Sequence, residues 1–173
     1  MTARDVPHGA SEPLRLRPPR HRVSPRAVTW WTAQAALEVA AVLGPLAVVV
    51  VVWADTRPWL IPLVAVVVLA GLGYLLVMPR WRFRVHRWET TDDAVYTSTG
   101  WINQQWRVAP MSRIQTVDTE RGPLQQLFGL ATVTVTTASA AGALRLAGLD
   151  RAIADDLVEQ LTATTQATPG DAT

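Results

Sequence analysis

The sequence predicts a transmembrane helical hairpin followed by a mainly-β domain, an antiparallel curved sheet or partly open barrel capped by a C-terminal helix. Three observations carry this. Residues 30–53 and 59–78 are apolar runs separated by a five-residue polar turn. From Trp81 the apolar period falls to two. Near the end, Ile153, Leu157 and Leu161 recur at helical spacing.

A bilayer core of about 30 Å needs about 20 apolar residues of helix, and each run reaches that length. Lipid offers backbone groups no partner, so single segments must span as helices. The short turn makes the two spans antiparallel neighbours. Arg4, Arg15, Arg17, Arg20, Arg22 and Arg26 precede the first span, and Arg80, Arg82, Arg84 and Arg87 follow the second. Positive residues at span ends stay cytoplasmic. Both termini are therefore expected inside, and the turn, with Asp55, Thr56 and Arg57, outside. Trp30, Trp31, Trp53, Trp59 and Trp81 are expected at the headgroup level, which indoles favour. A cleavable signal peptide is the weaker reading. Its apolar stretch runs 7–15 residues, and here a second span follows at once.

The division read from the chain is a disordered arginine- and proline-rich arm at 1–23, a hairpin at 24–79, a β domain at 80–165 and a disordered tail at 166–173. Ser24 with Pro25 resembles a helix start. The first span carries Gln34 and Glu38, four residues apart and so on one face. An intramembrane carboxylate is costly and marks a candidate site. The plain reading puts Glu38 in the cytoplasmic leaflet, protonated or paired; the sharper one gives it a role in transport. Ala36, Ala40, Gly44 and Ala47 face Ala70 and Gly73 in the expected helix contact, since small residues allow close approach. Gly44-Pro45 is expected to kink the helix.

Strands are expected at 81–86, 94–99, 103–108, 114–120, 131–137 and around Leu144 and Leu146, with a turn at Thr91-Asp92-Asp93 and a single helical turn within 122–129. Asp150 is the expected N-cap of the last helix. Its apolar stripe is Ile153, Leu157 and Leu161, supported by Ala154 and Val158.

The chain has no cysteine, which excludes disulfides, zinc–thiolate sites and thiol nucleophiles. All 16 basic residues are arginine, and ten of them flank the spans. The pI near 9.9 is thus explained by topology, and nucleic acid is excluded as a partner. His8, His21 and His86 have no metal spacing, and His86 reads as solvated on a strand face shared with Arg82 and Arg84. The pairs Asp92-Asp93 and Asp155-Asp156 read as solvated turn and helix surface. No catalytic constellation emerges, so no enzyme, metal or cofactor is expected and no small-molecule substrate is indicated. Arg80, Arg82, Arg84 and Arg87 are candidate headgroup contacts, because basic residues beside an anionic leaflet are attracted to it. Their alternative role is to set topology alone.

The segment Arg113-Ile114-Gln115-Thr116-Val117-Asp118, then Gly122-Pro123-Leu124, then Leu127-Phe128-Gly129-Leu130-Ala131-Thr132-Val133, resembles the bacterial pleckstrin-homology-like domain of YdbS-type membrane proteins. The two preceding spans and the stretch Val23-Ser24-Pro25-Arg26-Ala27-Val28 match the same pattern. The resemblance covers about residues 20–165 and implies a partly open barrel capped by a helix in a bacterial plasma membrane protein. It also implies a larger relative as partner. The loop at Thr90-Thr91-Asp92-Asp93 is acidic, so inositol phosphate binding is not carried over. The expected function is a membrane-anchored cytoplasmic scaffold that holds a partner membrane protein or a second copy, with membrane lipids around it. The alternative is an accessory subunit of a transport or export complex in which Glu38 works.

Overall fold

A computed structural model describes residues 19–53, 55, 57–138 and 142–167. The expected disorder of 1–18 and 168–173, and the placing of Thr56, lie outside the described residues. Helix α1 spans Arg26–Val52 and α2 spans Arg57–Val85. Both are long and apolar enough to cross a membrane. Helix α1 starts one residue later than the sequence signal, with Pro25 rather than Ser24 at the cap. The Ser24 hydroxyl oxygen accepts from the Arg26 N–H at 3.3 Å, and the Ser24 carbonyl accepts from Ala27 at 2.9 Å.

The helices pack, but not through the expected small faces. On α2 it is Gly71 that is buried, its absent side chain making room for Val39 of α1, 3.0 Å from where a Cβ would stand. Ala36, Ala40, Gly44 and Ala47 face outward, as do Ala70 and Gly73. The close approach still rests on one small residue, Gly71, whose missing side chain leaves room for Val39. The outer surface of both helices is apolar and exposed, as at Leu37, Val51 and Leu69.

Three expectations near the span ends are corrected. Residues 81–85 are helix, the last turn of α2, not a strand. Alternation over five residues does not discriminate. What decides is that Arg82 and His86, one turn apart, both lie against Trp31, at 4.7 Å and 5.1 Å. In addition, the rings of Trp30 and Trp31, expected to meet headgroups, are covered by protein in the core, Trp31 completely. Residues 21–22 are not disordered. They form strand β1 (His21–Arg22), pairing with β2 (Arg87–Thr90). The His21 ring lies 5.2 Å from Trp88, and Arg20 reaches the buried Glu89 at 3.4 Å. A two-residue strand has no period to read.

The remaining elements are β3 (Ala94–Thr99), β4 (Gln105–Pro110), β5 (Ile114–Glu120), α3 (Pro123–Leu127), β6 (Leu130–Thr137), β7 (Leu144–Asp150) and α4 (Arg151–Ala167). They form two antiparallel sheets, ordered β1-β2-β3-β4 and β5-β6-β7. The sheets are not closed into one barrel. At their open seam Arg107 of β4 donates to the Ala143 carbonyl at 3.1 Å.

Helix α4 caps the second sheet through Ala154, Leu157 and Leu161, all buried. Ile153 is 43% exposed and lies outside the stripe, which runs through Ala154 instead. Asp150 turns toward α1, accepting from the Ser24 hydroxyl at 2.9 Å and pairing with Arg26 at 3.6 Å.

One core joins these layers, and it includes Val23, Ala27, Trp30 and Trp31. It therefore reaches back across the expected domain boundary at residue 80. Gly148 makes this possible. It sits on β7 at φ +82°, and a Cβ there would stand 2.8 Å from the Ala27 Cβ.

Candidate functional site

Where α1 leaves the core, its next polar residues face a groove of about 780 Å³ between the helices and the domain. Gln34 and Glu38 line it from α1, and Arg82 and His86 from the end of α2. Thr99 lines it from the end of β3, Gly100 and Trp101 from the β3–β4 connection, Glu120 and Gly122 from the end of β5, Gln125 from α3, and Thr132 and Arg145 from the second sheet. Helical spacing places Gln34 and Glu38 together, and the extra turn of α2 brings Arg82 opposite them.

The interactions inside the groove are polar and partly complete. Tyr74 of α2 donates its hydroxyl to Glu38 at 3.1 Å. Its ring meets Trp101 edge-on at 6.0 Å. Arg145 pairs with Glu120 at 2.7 Å. Gln125 is buried and satisfied at both ends, donating to Thr132 at 2.7 Å and accepting from the Gly122 N–H at 3.0 Å.

The Arg82 guanidinium lies over the Trp31 ring at 4.7 Å, a favourable cation–π contact. It also donates Nε–H toward His86 Nε2 at 3.5 Å. His86 is 4% exposed, which corrects the solvated reading. Its Nδ1 lies 2.8 Å from the Arg82 carbonyl. A proton on Nδ1 satisfies both contacts, so the ring is neutral. Burial, helped by the Arg82 charge, pulls its pKa down to about 4.

The expected headgroup contacts separate. Arg82 turns inward to the groove. Arg80 and Arg84 are exposed, one turn apart on the outside of α2, and Arg87 is half-buried on β2. A helix, unlike a strand, puts neighbours two apart on different faces.

The residues that carried the family resemblance do structural work around the groove. Ile114 and Val117 of β5 pack against the core. Gln115 is exposed where the β5–β6 register shifts. Arg113 lends its carbonyl to Ala138 at 3.1 Å. Gly122 starts α3, and Gly129, at φ +66°, accepts from Arg151 at 3.1 Å, which ties α3 to α4. Of these, Gly122 lines the groove.

Tyr74, Glu120, Gln125 and Arg145 were not singled out from sequence. Tyr74 was legible: it is the lone polar side chain in the second apolar run, and Glu38 needs a partner there. Among the described residues no group of three or more His, Asp or Glu could hold a metal ion.

Two apolar helices that continue into a helix-capped antiparallel β domain define a two-span membrane protein of pleckstrin-homology-like architecture. A family model described as a bacterial PH domain matches residues 34–165, and the chain belongs to that family. It is 30% identical over 124 residues to the UPF0699 transmembrane protein YdbS of Bacillus subtilis (strain 168), a match covering 70% of this chain and 78% of that protein. No solved structure matches the chain. Neither description is that of an enzyme class. The family match begins inside α1 and takes in the rest of both spans and the β domain, while the core residues Ala27, Trp30 and Trp31 lie before it.

Proposed function

We propose that the protein is a non-catalytic scaffold of the bacterial plasma membrane, both termini cytoplasmic, that holds a partner membrane protein through β4, the outer strand of its first sheet. One observation carries this reading. Strand β4 is the outer strand of that sheet, and it presents Trp106 and Val108, 42% and 45% exposed, on one face. Soluble proteins blunt such edges with charge or cover them. An exposed apolar edge is the geometry by which a strand of another chain adds to a sheet. The resemblance to YdbS-type proteins favours a larger relative with its own PH-like domains as the occupant. Arg80 and Arg84 add attraction to an anionic inner leaflet.

The test is purification of tagged full-length protein in mild detergent, wild type beside Val108→Glu. The partner is expected with wild type and lost from the variant, while both melt at the same temperature. Equal retention would overturn the edge as the docking site, and a second copy of the chain as sole companion would make the scaffold a homo-oligomer. Orientation is tested by labelling. Cysteine at Asp55 is expected to react with an impermeant maleimide in intact cells, and cysteine at Thr119 is not. The reverse result would invert the topology.

The transport-subunit reading draws on Glu38 and its Tyr74 partner. Glu38→Ala separates the two, because partner retention is expected to survive it.

A further inference from the structure

The groove holds polar capacity of both signs that the protein does not use. Among the described residues the Gln34 amide has no hydrogen-bond partner, and Arg82 has no carboxylate within 4.0 Å. Arg82 spends one N–H on His86, its other donors have no hydrogen-bond partner among the described residues, and the residue lines the groove. Glu38 accepts from Tyr74 on one oxygen, and its other oxygen is open. Arg145 and Glu120, by contrast, satisfy each other. A half-buried guanidinium and a carboxylate therefore attract each other across one groove without a direct ion pair among the described residues, and a ligand carrying both charges can bridge them.

The position of the groove says where that ligand comes from. Ala35 is fully buried, and Leu37, two residues on, is 60% exposed beside Glu38. On α2, Leu76 and Val77 are more than half exposed just beyond Tyr74. The lipid-facing surface thus begins at the groove's rim. The β3–β4 connection extends the same apolar level, with Trp101 against Tyr74 and Ile102 73% exposed.

We propose that the groove binds the headgroup of an aminophospholipid from the adjoining leaflet, its phosphate taken by Arg82 and Gln34 and its primary ammonium by Glu38. Arginine suits a phosphate because its planar fork offers several donors at once. An anionic headgroup without an amine would bring like charge to Glu38. A choline headgroup has no N–H to donate to it. This site is separate from the β4 edge, so its failure would leave the partner-holding reading untouched.

The experiment is calorimetric titration of the full-length protein in neutral detergent. The probes are short-chain phosphatidylethanolamine, phosphatidylglycerol and phosphatidylcholine, with soluble glycerophosphoethanolamine alongside. Phosphatidylethanolamine is expected to bind about tenfold more tightly than the other two lipids, the difference one charge-assisted hydrogen bond supplies. Glu38→Gln is expected to abolish that preference and Gln34→Leu to weaken binding of the same lipid. Glu159→Gln, on the outer face of α4, leaves both unchanged. Glu38 is exposed, so its variant folds. Equal binding of the three lipids, or a preference that survives Glu38→Gln, would overturn the proposal. Glycerophosphoethanolamine binding as tightly as the lipid would overturn the membrane as the source of the ligand.

Discussion

Burial of His86 between Trp31 and the Arg82 backbone keeps its ring neutral, with a pKa near 4 against the usual 6.5. The unfolded chain takes up this proton first as pH falls. Stability is therefore fully present above about pH 6.5 and is lost progressively toward pH 4. Each pKa unit of separation corresponds to about 1.4 kcal/mol. We predict a melting temperature lower by roughly 5 °C at pH 5 than at pH 7. In His86→Phe the ring contact with Trp31 survives and the proton does not, so this difference is expected to shrink. An unchanged difference would assign it to other groups. Gly148 gives a second prediction at this scale. Alanine there meets both a positive φ and the Ala27 Cβ at 2.8 Å, at a cost of about 2–4 kcal/mol. Gly142 has φ +79° and open space around it, so its alanine variant costs only the backbone part, about 1–2 kcal/mol. Thermal unfolding of the two variants side by side measures the contact.

At the scale of elements, α4 divides its apolar residues between sheet and solvent. Leu157 is 3% exposed and Ile153 43%. Leu157→Asp places an unpaired charge in the core, which costs several kcal/mol. We predict proteolysis of the β domain in that variant with the spans still inserted. Ile153→Asp is expected to leave the protease pattern as in wild type. The sequence made the stripe visible but not its centre, since Ala154 and Ile153 both fit a helical period. Strands β3 and β5 were legible residue for residue. Each joins β-branched residues to a clear boundary: Asp93 and Gly100 for β3, the Pro110 corner for β5. The last turn of α2 was not legible, because Trp81, Phe83 and Val85 alternate as a strand would. Its helicity is decided by the shared contact of Arg82 and His86 with Trp31, which lies far away in sequence. The groove was half legible for the same reason. Gln34 and Glu38 declare themselves by standing in an apolar run. Arg145 and Glu120 look like any surface pair until the fold brings them beside α1.

For the whole molecule, the main consequence is that anchor and domain are one body. An indole at the end of an apolar run reads equally well as headgroup anchor or as core, and the tie is broken by Gly148, which lets Ala27 approach β7. With Ala27, Trp30, Trp31 and Ala35 buried, the lipid-facing part of α1 shortens to residues 36–52, about 25 Å of helix. That is still within the range of a thin span. The base of α1 and the β domain thus share one set of packed side chains rather than meeting across a linker. Hydrogen exchange on the full-length protein in lipid nanodiscs, wild type against Trp31→Ala, tests this most directly. The truncation removes a fully buried indole at a cost of about 3–5 kcal/mol. A shared core requires β6, β7 and α4 to lose protection together with the base of α1, while residues 36–52 remain protected. Loss of protection confined to the first turns of α1, with β6, β7 and α4 unchanged, would contradict it.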